Sequence, residues 1–88
     1  MLHARKDYMP IQDPRNDGIP HDEPVMLFRA QDDLFLDVLQ HYRMRLAKRD
    51  PNDSALALID RHITLAENWP VRKRADVPAS VVEKSLSE

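Results

Sequence analysis

The sequence predicts a mainly α protein: a helical hairpin with a short extended or β segment before it and extended N- and C-terminal arms. Three observations predict it. Apolar residues recur at helical spacing over two stretches in the middle of the chain. A short Asp50-Pro51-Asn52-Asp53 link separates those stretches, which suits an antiparallel helix pair. Prolines at 10, 14, 20 and 24 punctuate the opening segment, so no regular helix passes through it.

Residues 1–24 are therefore read as an extended Pro-rich arm. They hold three basic and five acidic groups, four of the seven prolines and the single glycine of the chain. Asp13-Pro14 and Asp17-Gly18 are turn signals within it.

The core, residues 25–69, opens on Val25-Met26-Leu27-Phe28. So short an apolar run suits either a buried strand or a helix opening, and the flanking Pro24 favours the strand. The first helix is expected at about 33–49. Asp32 or Asp33 caps it, and Phe35, Val38, Leu39, Tyr42 and Leu46 fall on one face. Arg43, Arg45, Lys48 and Arg49 gather in its last turns, where cations suit the negative end of the helix dipole. The second helix is expected at about 53–69, with Asp50 as cap and Pro51 at the first helical position. Leu56, Ile59, Ile63 and Ala66 form one stripe on it, and Leu58, His62, Leu65 and Trp69 a neighbouring one. Pro70 ends it.

Residues 70–88 read as a basic extended tail. Ser80 and Glu83 have capping-box spacing, which points to a short terminal helix over Val81, Val82 and Leu86.

Composition removes several function classes. The chain has 88 residues and no Cys, so neither a disulfide scaffold nor a thiolate metal site is available. A single Gly rules out a glycine-rich phosphate cradle. The serines at 54, 80, 85 and 87 lack the strained glycine-flanked turn of a nucleophile, and Asp32-Asp33 reads as a helix start. No catalytic residue and no cofactor is assigned. Asp37 and His41 lie four apart, and His21-Asp22-Glu23 and His62 add further donors. Three or four ligands must converge to hold zinc, and surface pairing explains Asp37 and His41 more simply, so no metal is assigned. No apolar run reaches the ~18 residues of a membrane span, and Met1-Leu2-His3-Ala4-Arg5 lacks the apolar stretch of a secretory signal. A cytoplasmic protein is expected.

Two surfaces carry the functional expectations. Arg72, Lys73 and Arg74 follow Trp69-Pro70, and an aromatic beside cations can stack a base while the cations hold phosphate. Against this, 13 basic and 15 acidic side chains leave a net charge of -2, which does not favour nucleic acid as partner. A small anionic ligand such as a nucleotide, held by basic residues at an oligomer interface, is the other alternative. Trp69 is expected to close the core, and Arg72 to be an exposed cation whose truncation costs under about 0.5 kcal/mol. Leu34 and Leu36 lie off the main stripe of the first helix, Leu58 and Leu65 off that of the second. One hairpin contact covers one side of each helix, so this surplus predicts a homodimer or higher homo-oligomer with these four leucines as interface.

Asp22-Glu23-Pro24-Val25-Met26-Leu27-Phe28-Arg29-Ala30-Gln31-Asp32 resembles a segment of small uncharacterised bacteriophage and prophage proteins. These carry two helices after it and then a Trp followed by basic residues and a Pro, as in Trp69–Pro78 here. The resemblance spans about residues 20–78. It implies a phage or prophage origin, and with it an interaction protein that binds a host protein in the host cytoplasm. No activity and no site residue comes with it.

Overall fold

The computed structural model describes residues 1–15 and 18–75. It is mostly helical, with a helical hairpin and one short parallel strand pair. The described residues divide into two units, 1–27 and 28–75.

In the first unit, β1 (Leu2–His3) pairs in parallel with β2 (Pro24–Val25), Leu2 against Pro24 and His3 against Val25. The Leu2 amide donates to the Glu23 carbonyl at 2.8 Å. Pro24 has no amide to give, so it suits a pair only two residues long. The Pro-rich arm thus contains a strand and, at Lys6–Tyr8, a single 3-10 turn, both absent from its sequence pattern. Asp13 turns the chain back. One carboxylate oxygen accepts the Arg15 amide at 3.1 Å and the other those of Gly18 and Ile19, at 3.0 and 3.1 Å. A Cβ on Gly18 would stand 2.9 Å from that second oxygen, so a larger residue there would make the Asp13 carboxylate shift. His3 is buried, and its Nε2 donates to the Ile11 carbonyl at 2.6 Å.

The second unit is the hairpin, α1 (Phe35–Arg49) and α2 (Ala55–Glu67). Both helices start two residues later than the apolar pattern suggests. Neither Asp32 nor Asp33 is the cap residue, which is Leu34; Asp32 turns the chain just before it, its carboxylate accepting the Leu34 amide at 2.9 Å. At α2 the cap residue is Ser54 and not Asp50: Asp50 accepts the Asn52 amide at 3.0 Å, shaping the link, while Asp53 accepts the Ala55 amide at 2.8 Å at the helix start. Pro51 therefore lies in the turn rather than in the helix. The end of α2 tightens before Pro70, the Trp69 amide reaching the Ala66 carbonyl at 3.1 Å.

Of the run Val25–Phe28, only Val25 is in a strand; Met26, Leu27 and Phe28 are exposed. The chain beyond α2 returns to the start of the hairpin. Lys73 donates its amide to Gln31 and accepts that of Asp33, at 2.8 and 2.9 Å, a one-residue parallel bridge. The capping-box helix expected after Ser80 lies outside the described residues.

Candidate interaction face

The seam between the helices is narrow. Among the described residues of the hairpin, only Leu46, at 4% exposure, and Ala66, at 2%, are fully buried apolar side chains. Phe35, Leu36, Leu39, Leu56, Ile59 and Ile63 are partly covered along the same seam. Arg43 fixes the register: its guanidinium donates to both carboxylate oxygens of Asp60, at 2.5 and 3.1 Å. This hydrogen bond holds the Asp60 carboxyl below its ordinary range and raises Arg43.

Beside the seam runs a second apolar stripe on each helix. On α1 it is Val38, Tyr42 and then Arg45, with Leu34 at the cap before them; on α2 it is Leu58, His62 and Leu65, with Trp69 just past the helix end. Each stripe lies about a quarter turn to the same hand of its seam. In an antiparallel pair of right-handed helices, the two stripes therefore emerge on one face, while Arg43 and Asp60 meet towards the other. The six large apolar residues of this face are 45–69% exposed. By the Arg43–Asp60 register, Leu34 lies level with Trp69 and Val38 with Leu65, with Tyr42 one residue out of step with His62.

Leu34, Leu58 and Leu65 are thus where the sequence expects them, and Leu36 is half-covered at the seam instead. Val38 and Tyr42, assigned by spacing to the buried face, belong to the open one. Their helix presents more apolar arc than a single partner helix can cover. Trp69 corrects an expectation: it does not close the core but stands 50% exposed at the end of the open face. It lies beyond the last residue of α2, where there is no longer a helix to pack against.

No protein-family model, curated protein or solved structure matches the chain. The site is read from its own chemistry.

Arg72 is exposed as expected, but its guanidinium is engaged. It is not a free cation: Nη2 donates to the Ala66 carbonyl, and Nη1 is shared among those of Trp69, Val71 and Ala30 at 3.0–3.1 Å. These include an acceptor from the last turn of α2, where a guanidinium also meets the negative end of the helix dipole. Arg72 therefore ties the end of α2 to the segment before α1. Lys73 and Arg74 are exposed, with Lys73 held by its backbone. Sequence gave no signal for this latch, because its acceptors are carbonyls that every residue carries.

Among the described residues, no group of three or more His, Asp or Glu side chains is placed to hold a metal ion. Asp37 and His41 are exposed on α1, and His41 borders the open face, one helical repeat from Leu34. No helix among the described residues is long and apolar enough to cross a membrane. One open groove of about 420 Å³ lies along the last turns of α1, lined by Tyr42, Arg45, Leu46, Lys48 and Arg49. It adjoins the apolar face at Tyr42 and Arg45.

Proposed function

We propose that this chain is a non-enzymatic interaction protein that acts by binding a host protein, working in the host cytoplasm. The observation that carries the reading is the face formed by Leu34, Val38, Tyr42, Leu58, Leu65 and Trp69, large apolar side chains left about half in water or more. A folded protein exposes single apolar residues freely, but a contiguous set on one face marks a contact surface. A phage or prophage origin, implied by the resemblance over residues 20–78, fits a small chain that works by occupancy rather than by chemistry.

The test places a photo-cross-linking residue at position 65, on the face, or at position 64, on the opposite side of α2. Host extract supplies the partners. A discrete adduct from position 65 that unlabelled chain competes away, with none from position 64, supports the reading. The same adducts from both positions overturn it.

A second reading, a binder of a small anionic ligand such as a nucleotide, is favoured by one observation. The groove beside Tyr42 gathers Arg45, Lys48 and Arg49 in a volume that matches ordinary small-molecule sites. It ranks second because the C-terminal end of α1 is itself negative and draws on the same cations. Nucleic acid ranks below both, since the Arg72 guanidinium is engaged by carbonyls. Nucleotide titration against the double variant Arg45→Ala/Lys48→Ala tests the second reading, and measuring affinity for DNA and RNA at two salt concentrations tests the third.

A further inference from the structure

We infer that the apolar face of the hairpin is covered by the same face of a second copy. A two-fold axis would run across the helices, so that the two hairpins form an antiparallel four-helix bundle. The inference rests on the reading above and names the first occupant of that surface.

The α2 half of the face is self-complementary, and the ends of the α1 half follow it. The stripe on α1, from Leu34 to Arg45, has its midpoint between Leu39 and Gln40. The stripe on α2, from Leu58 to Trp69, has its midpoint between Ile63 and Thr64. The Arg43–Asp60 pair sets those two midpoints at one height, because each lies the same number of residues from its member of the pair. A two-fold axis through that height maps the α2 stripe onto itself and exchanges the two ends of the α1 stripe. It lays Leu58 against Trp69 of the second copy, His62 against Leu65 and Leu34 against Arg45, while Val38 meets His41, one residue short of Tyr42. Nothing in the folding of a lone hairpin requires the two midpoints to coincide.

The area fits as well. Six half-exposed side chains, two of them aromatic, offer on the order of 500 Å² of apolar surface. A standard interface buries about 800 Å² per partner, of which roughly 60% is apolar, so it needs nearly the same amount. The direction of the axis follows from charge. With the axis along the helices, Arg45, Lys48 and Arg49 of both copies would gather at one end and repel. Across the helices, the two basic ends lie apart. Each Arg45 then comes to the end of the other copy that carries Trp69, where a cation over the indole is favourable.

The experiment combines mass and distance. Sedimentation equilibrium measures the mass of the natural chain, of Leu65→Lys and of Thr64→Lys. A nitroxide on Asn52→Cys, in the link between the helices, reports the separation of the two links; the chain has no other Cys to label. The expected results are twice 10.3 kDa for the natural chain and for Thr64→Lys, and a monomer for Leu65→Lys. The expected nitroxide separation is about 30 Å or more, from ~1.5 Å of rise per helical residue on either side of the axis. A monomeric natural chain, a Leu65→Lys variant that still dimerises, or links within about 20 Å, the width of two packed helices, would overturn the inference. Should Leu65→Lys fail to fold, the nitroxide distance on the otherwise natural chain decides alone. A monomer that still gives the position-65 adduct in extract sinks the two-fold pairing and leaves the proposed function standing.

Discussion

At Arg72 one side chain reaches Ala66, Trp69, Val71 and Ala30, so the residue at the end of α2 is tied to the one that leads into α1. Hydrogen bonds from a charged donor contribute about 1.5–3 kcal/mol, less where water competes, as it does here. Arg72→Ala is therefore expected to lower stability by about 1–2 kcal/mol in urea unfolding, and Arg72→Lys to restore only part, because an ammonium cannot span separate carbonyls. Arg74→Ala, on an exposed side chain, should stay within about 0.5 kcal/mol. Equal effects at 72 and 74 would remove the latch from the account. The first unit has its own residue-scale device. Gly18→Ala sets a methyl 2.9 Å from the Asp13 carboxylate and should push it off the amides of Gly18 and Ile19. Faster amide exchange at Ile19 than in the natural chain is the expected outcome; unchanged protection would mean that the loop absorbs the methyl.

Both helices could be read from spacing because a 3.6-residue period reports a buried stripe directly, and Leu39, Leu46, Ile59 and Ile63 do line the seam. Their ends were less legible. Asp50 looks like the cap, but Pro51 stays in the link and the cap position of α2 falls at Ser54. The strand pair of Leu2–His3 with Pro24–Val25 was illegible for another reason: two residues are too few to show any alternation. The open face was half legible. The stripe Leu58, His62, Leu65 and Trp69 stands in the sequence, but Val38 and Tyr42 share a helical repeat with buried residues, and only the partner helix shows which it covers. Between the helices, the ion pair gives a pH expectation. Arg43 holds the Asp60 carboxyl below its ordinary range through their hydrogen bond. A carboxyl depressed in the folded state contributes stability above the unfolded value, about 3.9, and loses it as pH falls through the folded value. Urea midpoints of the natural chain should thus fall below about pH 4, and Asp60→Asn should flatten that part of the profile. The pair is exposed, so the change will be small; a profile identical in the two proteins would contradict it.

For the whole molecule, the hairpin has very little interior of its own, with Leu46 and Ala66 its only fully buried apolar side chains among the described residues. A helix pair so thinly packed scarcely offsets the ~1.5 kcal/mol per residue lost in ordering it. Covering Leu34, Val38, Tyr42, Leu58, Leu65 and Trp69 with protein would supply the missing interior, which joins stability to function: the surface that binds is also the one that completes the fold. Trp69 stands at the end of that surface and is the only Trp in the chain, so its fluorescence reports the face and nothing else. The most direct measurement is its emission as the purified protein is diluted from high micromolar to nanomolar concentration, beside Leu58→Lys. The account predicts a blue-shifted band that moves to the red on dilution for the natural chain, and a red band at every concentration for Leu58→Lys. A band that stays where denaturant puts it, at all concentrations and in both proteins, would contradict it.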